Sequence, residues 1–220
     1  KSCQSCHMPL ENGRHRHDFV GVDLDLTKSI YDDDSQYSQV SDMLKKSVDL
    51  KFLYDADEIN FLSDDTFRIP ISVTNLVEHD IPSGTSFSRE SWLEINVSQN
   101  EDTLFSSGNI KDSSIDLNLD DKNLLFFTSF ILDSNSDTLY SITNAVTYHP
   151  MLLPALSTVK WKYNFIDSNG DLDKDVPVSI AIRMLFRSFK PIILRYDHPE
   201  LLDNLPIFEM ARLDTIIYLN

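Results

Sequence analysis

Both cysteines of this chain fall within its first seven residues, Lys1-Ser2-Cys3-Gln4-Ser5-Cys6-His7, and no third cysteine exists to pair with either. A disulfide framework is therefore excluded as the source of the fold. Cys-x-x-Cys followed directly by His is the attachment signature of a c-type haem. Two thiols three residues apart on one turn can each add to a vinyl group of the porphyrin, and the adjacent imidazole then becomes the proximal iron ligand. A thioredoxin-like dithiol would follow a strand, which the two residues ahead of Cys3 do not supply. A structural zinc site needs further thiolates or a ligand pair at finger spacing, and neither is present. The expectation is one covalent haem c on Cys3 and Cys6, with His7 on the iron and electron transfer as the chemistry.

A single histidine leaves the sixth iron position open, and what fills it separates electron transfer from gas binding or catalysis. The remaining histidines are His15, His17, His79, His149 and His198, and the methionines are Met8, Met43, Met151, Met184 and Met210. Met8 is too near the proximal histidine to cross to the opposite haem face. His17 is close enough in sequence for an extended chain to carry it round the porphyrin edge. His79 sits in a turn-rich loop that Pro82 stiffens, so its imidazole can be presented rigidly. His15, His149 and His198 read as solvent-exposed loop histidines. His79 and His17 stay open as distal candidates.

Of the 220 residues, 41% are hydrophobic, enough for a sizeable core, while the formal net charge is −16. Such acidity supplies no basic patch for phosphates, which argues against a nucleic-acid partner. It suits solubility, the steering of basic redox partners or bridging by divalent cations. No apolar run of about 18 residues is present, so no membrane-spanning helix is expected. A secretory signal pattern is also lacking, and the opening on Lys1-Ser2-Cys3 reads as a processed or shortened chain.

Residues 1–64 read as a haem-binding segment ending in one amphipathic helix, in which Tyr37, Val40, Leu44 and Val48 share a face from Tyr37 to Leu53. The acidic stretch Asp32-Asp33-Asp34-Ser35 would enter and cap it. Residues 65–220 change to period-two alternation at Ile69, Ile71 and Val73, at Leu93, Ile95 and Val97, and from Val178 to Phe186. Leu124–Leu132 and Trp161–Phe165 add further strands. Short helical turns are expected from Asp197 to Leu202 and from Pro206 to Ala211. The fold class is mainly β, an antiparallel sandwich with an N-terminal haem-attachment segment and a few helices. The stretch Asp167-Ser168-Asn169-Gly170-Asp171-Leu172-Asp173 has the alternating oxygen donors of a calcium loop but lacks its distal bidentate glutamate, which favours a plain hairpin turn. No nucleophile elbow, phosphate-binding glycine loop or zinc-protease motif is present.

Cys3-Gln4-Ser5-Cys6-His7-Met8-Pro9 followed by His17-Asp18-Phe19-Val20-Gly21-Val22-Asp23 resembles the haem motif and trailing His-x-Phe-x-Gly element of bacterial multihaem c-type cytochromes. Asn75 to Gly84, with Ser88-Arg89 and the strand from Trp92, is similar to that family's Asn-x-x-Gly-His-x-x-Pro-Thr-Gly segment before a β-domain. Ser106-Ser107-Gly108 and Leu185-Phe186-Arg187-Ser188-Phe189 fit the same setting. Glu78 replaces the usual glycine, Ser83 the usual threonine, and one haem motif stands where relatives carry several. The resemblance implies that His79 completes the haem of His7 and that His17 serves a haem in another segment or subunit, with the reverse assignment open. It further implies a periplasmic or extracellular location. Partners would be other c-type cytochromes or identical subunits, in an oligomer or filament. The alternative function is a piece of a multihaem oxidoreductase with an open-site haem. The surplus of histidines and the lack of an acid/base constellation place the electron carrier ahead of the catalyst.

Overall fold

The computed structural model describes residues 2–8, 10–17, 19–27, 34–53, 66–110, 116–166, 172–173 and 175–218. Along them run α1 (Cys3–His7), β1 (Leu10–Glu11), β2 (Arg14–His15), α2 (Asp34–Leu44), β3 (Val48–Phe52), β4 (Thr66–Asn75), β5 (Glu90–Gln99), β6 (Asp102–Ser107), β7 (Phe126–Leu132), β8 (Thr138–Leu139), β9 (Thr147–Met151), β10 (Thr158–Ile166), β11 (Val178–Arg187), α3 (Pro191–Asp197) and β12 (Phe208–Ile217). A 3-10 helix spans Pro199–Asn204.

Apart from the short antiparallel pair β1–β2, the strands form two antiparallel sheets around a shared core, as the alternation predicts. One has the order β10-β4-β3, and the other runs β12-β11-β5-β7-β8, with β6 added on β5 and β9 on β7. In β11, Val178, Ile180, Ile182 and Met184 point inward and are essentially fully buried. They meet Ile69, Ile71 and Val73 of β4 and Ile95 and Val97 of β5 in one hydrophobic cluster. On β10 the lysines Lys160 and Lys162 face water while Tyr163 and Phe165 face the core. This is the one-sided wetting that antiparallel sheets permit.

Two expected elements are corrected. The helix expected over Tyr37–Leu53 stops at Leu44, and Val48–Phe52 is a strand paired with Asn75–Ile71. Val48 does lie four residues beyond Leu44, but Val48, Leu50 and Phe52 alternate, and burial of that face on β4 outweighs the helical register. The helical turn expected at Pro206–Ala211 is instead the start of β12, where Phe208 and Met210 are buried and the strand pairs along β11 with one register shift between Met184 and Leu185. The turn expected at Asp197–Leu202 appears as the 3-10 helix. Ahead of it, α3 was signalled only by Pro191 in its first turn. Asp32 and Asp33 of the expected cap, and residues 167–171 of the expected hairpin turn, lie outside the described residues.

The sandwich also draws on the N-terminal segment. Val40 and Leu44 of α2 enter the main core, and Tyr37 stacks on Phe208 at 4.9 Å. Further upstream Val20, Val22 and Leu24 pack on the same core at alternate positions, and Leu26 is buried. That alternation moors the cysteine-bearing segment to the sandwich. Among the described residues no helix is long and apolar enough to cross a membrane.

Candidate haem site

The single turn of α1 places Cys3 and Cys6 three residues apart, hence on one side of the helix. Both are exposed free thiols. His7 closes the turn and is half-buried. Its Nδ1 lies 2.7 Å from the Val20 carbonyl, and the Val20 N–H donates to the His7 carbonyl at 2.9 Å. A carbonyl only accepts, so Nδ1 carries the proton and Nε2 keeps a free lone pair. Phe19 stacks on the imidazole with ring centroids 4.4 Å apart and planes 6° from parallel. One short stretch therefore fixes the position, tautomer and ring plane of His7.

His79 approaches from the loop after β4. Its ring centroid is 6.4 Å from that of His7, with 30° between the planes. Its Nδ1 faces the Asp80 carbonyl at 2.9 Å, which again leaves Nε2 free. Asn75, 1% exposed at the end of β4, organises the loop. Its amide donates to the carbonyls of His79 at 2.9 Å and Leu153 at 3.1 Å, and accepts from the Val77 N–H at 2.9 Å. The loop is tied to the β9–β10 connection as well. Asp80 accepts from the Ala155 N–H at 2.9 Å, while Ile81 and Leu153 exchange backbone hydrogen bonds of 3.0 and 2.8 Å.

Arg89 joins the two halves of the site. One guanidinium nitrogen donates to the Ser83 carbonyl in the His79 loop, and another to the Asp23 carboxylate in the stretch after His7, each at 2.7 Å. Val22 and Leu24 face the core while Asp23 turns away from it to meet Arg89, so the alternation that moors the segment also supplies its latch.

The other candidates are placed differently. His17 is exposed, and no hydrogen bond or ring contact holds it among the described residues. His15, also exposed, has its Nδ1 2.6 Å from the Met8 carbonyl. His149 lies on the exposed strand β9, and His198 pairs with Glu200 at 3.2 Å. Met184 and Met210 are core residues. The structure thus brings His7 and His79 together. Residue types and spacing gave no role to Val20, Asn75 or the Asp23–Arg89 pair; the sign that could have revealed Asn75 is an amide at the inward end of an apolar strand.

No protein-family model matches the chain, and no curated protein sequence does. Among solved structures, the fold is similar to that of a penta-heme cytochrome c552 from Thermochromatium tepidum, with a TM-score of 0.67 and 18% identity over 99% of this chain. The two proteins share a fold. This chain spans 47% of the length of that cytochrome.

Proposed function

We propose that the chain carries one c-type haem, which Cys3 and Cys6 would hold covalently and His7 and His79 would ligate, and that it transfers electrons. The observation that carries this reading is the pair of imidazoles 6.4 Å apart beside a Cys-x-x-Cys-His turn. Metal-bound histidines characteristically donate their second ring N–H to a carbonyl, as both do here. The two ring centroids, 6.4 Å apart, are near enough for both imidazoles to serve one metal ion. The fold likeness to a penta-heme cytochrome supports the same reading.

When bound, the haem supplies a one-electron couple. The residues of this chain set its surroundings. The Val20 and Asp80 carbonyls hold the tautomers of His7 and His79, Asn75 and Arg89 hold their separation, and Phe19 covers one face of the His7 ring. With His7 and His79 both ligating it, the haem would leave no position for substrate, and a redox partner within reach, in another cytochrome or another copy of this chain, would be needed. Covalent haem attachment outside the bacterial cytoplasm makes the location periplasmic or extracellular.

The test is the spectrum of the holoprotein with each distal candidate replaced. Ferric wild type is expected to be low-spin and, once reduced, indifferent to carbon monoxide. His79→Ala should give a high-spin, carbon-monoxide-binding haem, and His17→Ala should not. The opposite pattern would move the distal role to His17. A high-spin wild type would favour the open-site oxidoreductase over the electron carrier.

A further inference from the structure

The edge built by β7, β8 and β9 differs in charge from the rest of the molecule. Between Asp137 and Lys160 the sequence has no Asp, Glu, Lys or Arg, in a chain that is 25% charged residues with a net charge of −16. The structure turns this uncharged stretch outward. Tyr140, Ile142, Val146 and Met151 are 42%, 70%, 65% and 45% exposed, and every residue of β9 is exposed. Among the described residues the ladder partner of β9 is β7, on one side only.

This arm is held firmly at its root. The Asp133 carboxylate accepts from the N–H groups of Asn135 and Asp137 at 2.8 and 3.0 Å, and the Val146 N–H donates to Leu132 at 2.8 Å. The Tyr148 hydroxyl lies 2.9 Å from Ser86 Oγ, itself 2.8 Å from Ser129 Oγ. A surface ordered in advance loses little conformational entropy on binding, and contiguous exposed apolar patches mark interaction sites.

We propose that this arm is the surface through which two copies of the chain associate. The proposal deepens the electron-transfer reading, which calls for a neighbour, but the contact itself needs no porphyrin. Charge identifies the occupant. A basic partner would be steered to the acidic remainder of the surface, not to a face with no charge to meet it. Two strongly acidic copies repel each other over most of their surfaces, and contact through the arm keeps like charges out of the buried area. Tyrosine, isoleucine, valine and methionine separated by Ser, Thr and Asn form an interface core depleted in charge. Pro150 has no N–H with which to extend the sheet, so side chains make the contact, which suits a closed two-fold pair over an open-ended stack.

Sedimentation of the full chain over a range of concentrations tests this. The expected result is a concentration-dependent dimer that tightens with added salt, because salt screens like-charge repulsion. Replacing Ile142→Asp together with Val146→Asp should weaken association more than about tenfold, since each introduced carboxylate must be desolvated. Ile166→Asp on β10, at a position 66% exposed, should leave association unchanged. If the double variant loses its circular dichroism, Ile142→Asp alone carries the same expectation. A chain monomeric at every concentration would overturn the proposal and assign the arm to a different protein or a further part of a longer polypeptide. So would a dimer that survives the aspartates, or one that Ile166→Asp disrupts equally. A colourless protein that still dimerises would end the electron-transfer reading and leave this one standing.

Discussion

Backbone carbonyls hold Nδ1 of both His7 and His79, which under the proposed haem reading would direct the other ring nitrogen of each toward one iron. His7 is held by Val20, thirteen residues away, and His79 by its neighbour Asp80. The motif around Cys3, Cys6 and His7 is legible from residue type and spacing, because the chemistry of attachment is local. The approach of His79 to His7 is not, because it depends on a fold that brings distant residues together. Asn75 is the residue on which that approach most depends. Asn75→Ala removes hydrogen bonds to the buried Leu153 carbonyl, the part-buried His79 carbonyl and the Val77 N–H, with an expected cost of about 2–4 kcal/mol. Urea denaturation measures that loss, and an increased high-spin fraction in the holoprotein would show that the His79 loop had moved with it.

At the level of elements, strands with strict alternation were readable and those decided by pairing were not. Val178–Phe186 reveals itself because Val178, Ile180, Ile182 and Met184 share one face. Phe208–Ile217 hides behind Pro206, which suits a helix start, until β11 claims it as an edge partner. The same sheet contains a buried ionic group that periodicity does not disclose. Glu90 and Arg187 face each other across β5 and β11 as an ion pair, with Arg187 5.2 Å from the Trp92 ring. Nearby Lys190 donates to the Ser129 carbonyl at 3.0 Å and lies 4.7 Å from the Phe130 ring. Burial pushes the Lys190 ammonium down to about 8, against the pull of Glu90. Its folded value is below its unfolded one, so between about pH 8 and the ordinary lysine range the unfolded chain binds more protons, and this group makes stability rise with pH. Below that window the burial penalty is present in full. Denaturation of wild type and Lys190→Met at a series of pH values should show this rise only in wild type. Gly108 gives a sharper expectation. At φ +70° an added Cβ would lie 2.2 Å from the Leu93 carbonyl oxygen, in the main chain of β5. Gly108→Ala should therefore destabilise the protein by at least about 2 kcal/mol, read from its denaturation midpoint.

For the whole molecule, the sandwich acts as a frame that holds a cysteine-bearing segment against a histidine-bearing loop. Composition allowed a large core and period-two alternation pointed to a mainly β chain, and the two sheets meet that description. Residue patterns did not reveal that α2 and β3 join the sandwich, because Val40, Leu44 and Leu50 find their partners only once β4 and β12 are in place. Nor did they show that Arg89 ties the two halves of the site across 66 residues of sequence. The frame accounts for a fixed imidazole pair, and the uncharged arm accounts for how a neighbour could dock. The second use needs no porphyrin; the first presupposes that porphyrin is joined to the chain. Intact mass together with a pyridine haemochrome spectrum of the native protein measures this directly. The account predicts a coloured protein, heavier than its own polypeptide by one haem, with two thioether links that survive denaturation. A colourless protein of polypeptide mass alone would contradict it.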